Sequence, residues 1–558
     1  MKYCKGKGFL PEAGDLPGMF DEDKPCDISP PADRPAVTYY FSAAGNDAND
    51  GLSPERPKRT LAEAARLLRR GNVCTAFCGG DVFEGGLCVE TDGASPVAVC
   101  GYGRGRPVFR GGESVICVRS SRVTIRGLEV TDPQALRGIF VCPVRAGALR
   151  DVVVEDCYVH DVNFFWDSDV PPEQTDPDEI DVERVCPEYY PGTQTYWRYN
   201  RRSHGGIIFL NETDIGTGAS WFENVHILRN RVENVARTGI YLANVWADKP
   251  GVGYGRNLFV REDGERVDVL RGLGYFTHEH VVCSDNVIVC AGGDGAILSS
   301  VRHAFMERNV CMYANYLGRS NYWNAGLWVF DAHEVWMRGN ESGCTYMRHG
   351  SNDAQGFDID NACTKVVFKN NYAHHNEGGG LLVCNKPTAV VLRDERGLPL
   401  TGEISLMGRW YDNLVCCNVF EENGNPRDET RAAFLTIARE TDYLFAYSNV
   451  ILMRADGRGQ SLIHTEDASM PCYRHFYLSN VFACVRPVKA RLTADMLHDG
   501  FFEGNTFVRV GEDIIRSSGD VHAKRSAKNI LPRVRGRAAR TLSVHDFRKI
   551  IMKRGSDK

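Results

Sequence analysis

An alternation of apolar and polar positions recurs along most of the chain. A short strand-like run ends on asparagine, and another apolar pair follows it. The pattern recurs at Asn230, Asn286, Asn309, Asn340, Asn371, Asn418, Asn449, Asn480 and Asn505. The intervals from 309 to 340, 340 to 371, 418 to 449 and 449 to 480 are each 31 residues. Such regular intervals are typical of a protein whose repeats stack on one another.

A second pattern accompanies the first. A glycine followed by alternating residues ends on a polar residue, at Asn211, Asn244, Ser300, Asp331, Asn361 and Asn385. Two short strands in each repeat of about 23–31 residues indicate a parallel β-helix, in which each rung buries its apolar face against its neighbours. We expect five of these residues to form an internal ladder that bonds to turn backbone; they are Asn211, Asn244, Asp331, Asn361 and Asn385. The absence of a recurring LxxLxL motif disfavours a leucine-rich repeat.

The N-terminal region resembles a known class of enzymes. Three segments carry the resemblance: YYFSAAGNDANDGLSPERPKRTLAEA, GNVCTAFCGGDVFEG and VAVCGYGRGRPVFRGG. They resemble the entry segment of right-handed parallel β-helix carbohydrate-active enzymes of the pectate-lyase-like superfamily. The resemblance implies a strand, a capping helix and the first rungs. Lyases, hydrolases and epimerases share this architecture, so the motif is more specific for fold than for function.

The predicted fold is therefore all-β: a single right-handed parallel β-helix with an N-terminal cap and loop insertions. We divide the chain into an N-terminal arm (1–37), a cap with the first rungs (38–110), a β-helix catalytic domain (111–515) and a basic C-terminal tail (516–558). Insertions at 163–200 and 245–275 interrupt the rung spacing, and we expect both to decorate one face of the solenoid.

Charge and cysteine content narrow the possible partners. The net charge is −6, and because the tail is basic, the rest of the chain is more acidic still. We therefore expect neither nucleic acid nor a membrane as a partner, while the oligomeric state stays open. The 20 cysteines are scattered without a CxxC pair, and the opening residues contain no apolar signal segment. These features predict free thiols, no structural zinc and a cytoplasmic location.

Candidate chemistry concentrates in the strand GFDIDN. Alternation places Phe357 and Ile359 on one face and Asp358 and Asp360 on the other, which we expect to face outward. Asp353 precedes this strand, and Glu377 precedes the next one, GLLVCN. Because rungs stack about 4.8 Å apart, the four acidic side chains should converge. Such a cluster on a strand face is unusual for a structural core, although a solvated acidic patch or a Ca²⁺ site would have the same sequence.

The same region carries a second resemblance. The segment NDAQGFDIDN…NYAHHNEGGG resembles one, roughly DGQGFDID…NYSHDNEGGG, in bacterial β-helix proteins grouped with glycoside hydrolases. This resemblance carries over Asp353, Asp358, Asp360 and Glu377, and it departs at His375, where aspartate is expected. The candidate substrate-binding residues are Asp353, Gln355, Trp328, His374, His349 and His204.

These residues favour glycoside hydrolysis of an oligo- or polysaccharide. One carboxyl group must donate a proton to the leaving oxygen, and another must attack the anomeric carbon or activate water. We assign Asp358 or Asp360 as nucleophile or base and Glu377 as the acid. Crowding of like charges separates the two roles, so no cofactor or metal is required.

Two other functions remain open. A polysaccharide lyase or epimerase would use Asp353, Asp358 and Asp360 to hold Ca²⁺. Its candidate bases are Lys365, Arg348 and His349. Against this reading, the outward positions of the neighbouring rungs are apolar and aromatic and lack the Lys and Arg that a polyuronide requires. The other alternative is a non-catalytic carbohydrate-binding solenoid, which leaves the acidic cluster unexplained.

Overall fold

The structure is a computed structural model of the 558-residue chain. It describes residues 21–163, 202–211, 220–244, 259–260, 266–267, 277–316, 324–347, 353–385, 388–390, 404–406, 410–425, 431–439, 441–453, 460–465, 472–488, 490–493, 497–498, 501–510 and 515–516. Nearly all of the basic tail, the predicted insertion after Asn163 and most of the insertion at 245–275 lie outside the described residues.

Three parallel sheets form the right-handed β-helix that the repeats predict. Each rung contributes one strand to each sheet, and like positions of successive repeats pair directly. Val335 pairs with Val366 on the next rung, and Phe357 pairs with Leu381. The 31-residue interval is therefore one full turn of the solenoid in this region.

The three sheets are named A, B and C, and each strand of sheet A leads into sheet B and then into sheet C. Sheet A contains Val37–Phe41, Val73–Cys78, Val97–Tyr102, Val123–Arg126, Gly147–Glu155, Ser220–Leu228, His278–Ser284, Val301–Glu307, His333–Arg338, Thr364–Lys369, Asn413–Cys416, Asp442–Tyr447, Cys472–Leu478, Leu497–His498 and Phe501–Glu503. Sheet B contains Val82–Glu84, Val108–Arg110, Glu129–Thr131, Tyr158–Val162, Arg231–Val235, Val287–Ala291, Val310–Met312, Glu341–Gly343, Tyr372–His374, Val419–Glu421, Val450–Met453, Val481–Val488 and Thr506–Val510. Sheet C contains Leu87–Val89, Ser114–Val118, Arg137–Val141, Gly205–Asn211, Thr238–Asn244, Ala296–Ser299, Ala325–Phe330, Gln355–Ile359, Gly379–Asn385, Leu435–Arg439, Gln460–Thr465, Ala490–Thr493 and Ile515–Arg516.

Two short antiparallel pairs lie outside the three sheets. One joins Phe259–Val260 to Arg266–Val267, and the other joins Thr388–Val390 to Ile404–Leu406.

The core is a continuous apolar column inside the solenoid, extending from Phe41 to Phe482. Aromatic rings from different sheets pack against one another within it. The centroids of Phe357 and Phe368 lie 4.9 Å apart in an edge-to-face arrangement. Since each rung covers its neighbours, the core grows with every turn added.

A helix at Leu61–Leu68 packs against the first turn of the solenoid, where the sequence predicts a cap. Thr60 caps its N-terminus by accepting a hydrogen bond from the backbone N–H of Glu63. The buried face of the helix joins the main core through Leu61, Ala64, Leu67 and Leu68.

The first asparagine pattern forms the ladder that its regularity predicts. The Oδ1 of Asn371 accepts hydrogen bonds from the backbone N–H of Asn340 (2.9 Å) and from its Nδ2 (3.0 Å). The Nδ2 of Asn371 donates to the carbonyl of Met337 and to Oδ1 of Asn418, at 2.9 and 3.1 Å. The same geometry connects Asn418 to Asn449. These buried asparagines thus satisfy both their own amides and the turn backbone.

Uniform turns make this ladder possible. The turn from sheet A to sheet B has two residues in each rung of the ladder, such as Asn370 and Asn371 between Lys369 and Tyr372. The first of the two adopts a positive φ, which is 57° at Asn370 and 53° at Arg308. The asparagine that follows is therefore presented identically on every rung.

The structure also contains a shorter ladder that the sequence analysis missed. The Oδ1 of Asn376 accepts from the backbone N–H of Thr345, and the Nδ2 of Asn376 donates to Oδ1 of Asn423. Each of the three residues lies five positions after a member of the first ladder. This constant offset of five residues is visible in the sequence, so the second ladder could have been predicted from it.

The ladder predicted for the second pattern does not recur in this regular form. Asn211 donates to the carbonyl of Ser220 at 2.5 Å, Asn361 donates to Asp360, and Asn385 accepts from the backbone N–H of Ala362. These residues follow sheet C, and the connection from sheet C back to sheet A varies greatly in length from rung to rung. Because the connections differ, equivalent side chains meet different partners.

The described part of the N-terminal arm, residues 21–36, lies along the outer face of sheet A. The carboxylate of Glu22 accepts a hydrogen bond from the hydroxyl of Tyr447 at 2.7 Å, and the carbonyl of Asp21 accepts one from Trp336 Nε1 at 2.9 Å. Further along, Asp27 contacts His303 and Asp33 pairs with Arg122. The arm therefore spans many rungs, from Tyr447 back to Arg122, and we call it the strap.

The structure describes the side chains of sixteen cysteines, and these are free thiols. Six of them are buried, and burial raises the pKa of Cys283, in a strand of sheet A, and of Cys157, in a turn, to about 12. Cys74 and Cys100 lie close, with a 3.3 Å separation between their sulfur atoms. Among the described residues, no helix has the length and apolar character needed to cross a bilayer. The cytoplasmic location stays a prediction.

Candidate functional site

The strand Gln355–Ile359 lies in sheet C between Ala325–Phe330 and Gly379–Asn385. Its apolar side chains, Phe357 and Ile359, are fully buried in the main core. Asp358 pairs in register with Trp328 on one side and Leu382 on the other, and it points away from the core. The sequence alternation therefore predicts the orientation of this strand correctly.

The outward face of sheet C is itself buried, in contrast to the groove that the sequence suggests. The apolar side chains on this face form a second cluster, separate from the solenoid core. We call it the outer apolar cluster; it comprises Phe140, Cys142, Ile208, Leu210, Tyr241, Ala243, Ile297, Ala325, Trp328 and Phe330. Asp358 lies beside it and is only 4% exposed. The candidate carboxyl group thus sits in a medium of low polarity.

Burial and crowding together set the protonation of Asp358. Burial raises its pKa well above the usual range, and the charges of Asp360, Asp353 and Asp294 raise it further, while Arg202 acts in the opposite direction. Within the described part of the chain, its Oδ1 atom has no hydrogen-bond partner. These surroundings favour the protonated form of the Asp358 carboxyl group.

Asp360 and Asp353 lie at opposite ends of the same strand, and both are half-buried. Asp360 accepts hydrogen bonds from the backbone N–H and the side-chain amide of Asn361, at 2.7 and 2.6 Å. Asp358 and Asp360 thus occupy different environments, as paired acid and base groups require.

A buried ion-pair cluster adjoins Asp358 and was missing from the sequence prediction. Asp294 is fully buried and accepts from Arg237 Nη1 at 2.5 Å and from Trp328 Nε1 at 3.0 Å. The Nε of Arg202 lies 3.5 Å from the same carboxylate. The guanidinium of Arg202 also stands 5.1 Å from the ring centroid of Trp328.

These arginines correct the expectation that this face lacks Lys and Arg. Arg202 and Arg237 lie just before strands of sheet C, so the alternation within those strands does not predict their orientation. Arg237 is almost completely buried, so its charge is compensated by Asp294. Trp328 was predicted to bind substrate, and the structure shows its indole buried and bonded to Asp294.

Glu377 lies in the turn that precedes the strand Gly379–Asn385. Its neighbour Gly378 donates a backbone hydrogen bond to Ala354 on the previous rung. The carboxylate accepts from the backbone N–H of Met347 at 2.6 Å. Glu377 is half-buried, and it is anchored to the turn of a neighbouring rung.

Gln355 begins the central strand and is fully buried. Neither its Oε1 nor its Nε2 has a hydrogen-bond partner in the described structure. The hydroxyl of Thr436, two rungs away in Leu435–Arg439, is likewise buried without a partner there. A Cβ atom at Gly379, the residue between them, would lie 3.6 Å from Gln355 Cγ and 3.7 Å from Thr436 Oγ1.

The predicted histidines do not gather around Asp358. His374 lies in sheet B, where its Nε2 is 3.2 Å from Glu341 and its ring stacks on Tyr372. His204 is buried immediately before the strand Gly205–Asn211, several rungs from Asp358. His349 lies outside the described residues. A turn separates Tyr372–His374 in sheet B from Gly379–Asn385 in sheet C. His374 therefore lies on a different side of the solenoid from Asp358, although the two residues are close in sequence.

The residues proposed to hold Ca²⁺ can also be located. Asp353, Asp358 and Asp360 share one strand and its flanks. Among the described residues, no group of three or more His, Cys, Asp or Glu side chains is arranged to hold a metal ion. The raised pKa of Asp358 also opposes a role as an anionic ligand.

Comparison with solved structures shows the fold. The chain is similar to two crystal structures of a GH136 lacto-N-biosidase from Eubacterium ramulus, with TM-scores of 0.52 and 0.51 and 17% sequence identity. Each match covers 77% of this chain and 67% or 65% of the other, so the chain spans about two thirds of their length. A mannuronan C-5 epimerase A-module from Azotobacter vinelandii is also similar, with a TM-score of 0.43, 12% identity and coverage of 86% and 97%.

No protein-family model matches the chain, and no curated protein matches it. At this level of identity the similarity shows a right-handed parallel β-helix, an architecture found in carbohydrate-active proteins. The reaction must be argued from the site itself.

Proposed function

We propose that the chain is a glycoside hydrolase in which Asp358 is the general acid and Asp360 is the ionised partner. The burial of Asp358 beside other carboxyl groups carries the proposal, because these surroundings favour the protonated state and an acid catalyst must hold its proton until the leaving oxygen takes it. The low-polarity surroundings and the carboxylates of Asp353, Asp360 and Asp294 all maintain that state. The role of acid thus passes from Glu377, the residue first assigned to it, to Asp358.

Asp360 suits the complementary role. It is half-buried, and it accepts two hydrogen bonds from Asn361. As a base it would activate water, and as a nucleophile it would attack the anomeric carbon. Which of these applies depends on the separation of the two carboxyl groups around a bound sugar. Asp353, at the other end of the strand, is the second candidate for this role.

The similar solved structures support the proposal at a coarser level. They are described as a lacto-N-biosidase and a mannuronan epimerase, both of which act on carbohydrate. We extend to this chain only the inference that its substrate is a carbohydrate. The choice of hydrolysis depends on the paired carboxyl groups.

The roles can be separated with substrates that differ in leaving group. Asp358→Asn should lower turnover of phenyl glycosides by about 10²–10⁴-fold. Dinitrophenyl glycosides should be affected much less, because their leaving group requires little protonation. Asp360→Asn should lower turnover of both substrates. Steady-state kinetics on a panel of glycosyl groups provides the measurement.

Glu377→Gln is the matched control, since it neutralises a nearby carboxylate that contacts only turn backbone in our assignment. It should retain turnover on both substrates. If Glu377→Gln instead shows the leaving-group dependence, Glu377 is the acid and the assignment to Asp358 is wrong. Full activity of all three variants on a confirmed substrate would place the reaction elsewhere.

A uronate lyase or epimerase is the second candidate, favoured by the two arginines near Asp358. Arg202 is partly exposed and could neutralise a substrate carboxylate. Arg237 is already paired with Asp294. Incubation with polyuronides distinguishes the two reactions, since a lyase releases unsaturated uronates that absorb in the ultraviolet and a hydrolase releases reducing ends only.

A further inference from the structure

Two buried polar side chains, Gln355 and Thr436, lie near the candidate acid Asp358. Gln355 is 0% exposed, Thr436 is 1% exposed and Asp358 is 4% exposed. In the described structure, four of their polar atoms have no hydrogen-bond partner: Gln355 Oε1, Gln355 Nε2, Thr436 Oγ1 and Asp358 Oδ1. Leaving such a group unpaired costs about 1–3 kcal/mol. A cluster of this kind is therefore too costly to be a packing solution, and it requires a partner with several polar groups.

Gly379 lies at the point where two of these side chains converge. A Cβ atom there would lie 3.6 Å from Gln355 Cγ and 3.7 Å from Thr436 Oγ1, and it would meet the backbone oxygen of Ala432 at 2.8 Å. The φ angle of Gly379 is 132°, which accounts for the glycine itself. The backbone conformation does not account for the unpaired amide and hydroxyl that flank it. Leu382 forms an apolar surface between Asp358 and Thr436 in the adjacent column.

The chemistry of the cluster identifies the type of ligand. A carboxamide both donates and accepts, as does a hydroxyl group, so a sugar hydroxyl matches both. Asp353, Asp360 and Asp294 surround the cluster with carboxyl groups, which disfavours an anionic ligand. Asp353 and Asp360 are partly exposed, and therefore solvent reaches both ends of the strand that carries Gln355.

We infer that Gln355 and Thr436, on either side of Gly379, form a subsite for an uncharged sugar and bind its hydroxyl groups. The inference deepens the proposed function and rests on it for the identity of the neighbouring acid. It adds Thr436 as a specificity residue in a strand far from the GFDIDN motif. It also predicts that the substrate is a neutral glycan, not a polyuronide.

Monosaccharide binding tests the subsite without requiring turnover. D-Galactose, D-glucose and D-mannose would be titrated against the full-length protein by NMR, with D-galacturonate as the charged counterpart of galactose. At least one neutral sugar should bind, and galacturonate should bind more weakly than galactose. Absence of binding by all neutral sugars, or tighter binding of galacturonate, would overturn the inference.

Thr436→Val and Gln355→Leu remove the polar atoms at nearly constant volume. Each should weaken the binding of the neutral sugar by about tenfold. Neither should lower the Tm of the free protein, because the removed groups have no partner to lose. If fixed water bridged these groups instead, both variants would lower Tm and leave sugar affinity unchanged, which contradicts the inference.

Ser342→Ala is the matched control. The Ser342 hydroxyl is also buried without a partner in the described structure, but it lies inside the solenoid under Gly326. Its removal should leave both Tm and sugar affinity unchanged.

The two proposals can fail separately. If Thr436→Val loses sugar binding and the wild-type protein shows no hydrolysis, the result supports the subsite and contradicts the hydrolase. If hydrolysis is confirmed and Thr436→Val and Gln355→Leu bind sugar as tightly as the wild type, the result supports the hydrolase and contradicts the subsite.

Discussion

The carboxyl group of Asp358 combines a functional advantage with a structural cost. Burial and three neighbouring carboxyl groups raise its pKa, so the folded protein binds this proton more tightly than the unfolded chain does. The stability that this bound proton contributes is fully present below the pKa that Asp358 has in the unfolded chain, near 3.9. It is lost as the pH rises towards the pKa of the folded state.

Asp358→Asn should therefore stabilise the protein while it abolishes the acid function. Asparagine is neutral at every pH, so the variant avoids the cost of keeping this carboxyl group neutral at a pH at which the unfolded chain would ionise it. At neutral pH we expect a gain of about 0.5–2 kcal/mol in the free energy of unfolding, with little difference near pH 3. Urea denaturation at several pH values measures this. A variant less stable than the wild type at neutral pH would show that the carboxylate makes stabilising bonds.

Arg237 illustrates the opposite situation, a buried charge that must be paired. Its partner Asp294 is fully buried and is held by Arg237 at 2.5 Å. Arg237→Met should lower the free energy of unfolding by about 3–5 kcal/mol, because it leaves the buried carboxylate without its principal cation. Denaturant unfolding is the measurement.

Arg308→Met is the matched control for this prediction. Arg308 also pairs with an aspartate, Asp285, at 2.7 Å, but its side chain is 57% exposed. The loss of such a surface pair should cost less than about 1 kcal/mol. Equal losses in the two variants would contradict the role assigned to burial.

At the scale of the single element, the asparagine turn is the unit that repeats. Its two residues occupy the same conformation on each rung, and the amide of each asparagine spans to the next. The strands themselves vary widely in sequence, so the constant turn sets the register between rungs. Stability should therefore depend on these residues out of proportion to their size.

Asn371→Ala should lower the free energy of unfolding by about 1–3 kcal/mol, since the backbone N–H of Asn340 and the carbonyl of Met337 lose their side-chain partner in the interior. Asn505→Ala is the comparison, because Asn505 makes the contacts to Asn480 and Tyr477 but no further asparagine of the ladder follows it among the described residues. We expect a smaller loss there. Thermal unfolding of both variants checks this order, and a larger loss at Asn505 would contradict it.

For the whole molecule, the strap joins rungs that are far apart in the chain. Glu22 contacts Tyr447 and Lys369, and Asp33 contacts Arg122, so one short segment spans most of sheet A. It also covers part of an apolar stripe on the outer face of that sheet, where Ile28 packs against a cluster containing Phe305 and Trp336. Solenoids otherwise bind each rung only to its neighbours.

A truncation that removes residues 1–35 should lower Tm and broaden the unfolding transition, because distant rungs then lose their direct connection. A truncation that removes residues 1–20 keeps every one of these contacts and is the matched control. Differential scanning calorimetry measures both effects. Equal Tm values for the two truncations would show that the strap adds nothing to the cooperativity of the solenoid.

The sequence by itself determined the repeating part of this protein. Rung spacing, the ladder from Asn230 to Asn505 and the orientation of Asp358 all follow from local alternation and from a turn of constant length. A parallel β-helix stacks equivalent positions directly, so one-dimensional periodicity becomes three-dimensional register. The N-terminal helix followed for the same reason, since an open end of the solenoid needs a cover.

Only the tertiary structure decided which side chains surround Asp358 and how they are charged. Arg237 and Asp294 lie just before strands of sheet C on other rungs, Thr436 lies two rungs away, and Asp358 is buried beside the outer apolar cluster. His374, by contrast, is close in sequence but belongs to sheet B. Protonation depends on burial and on the sum of nearby charges, and both arise from packing between rungs and their connections, which local alternation does not encode.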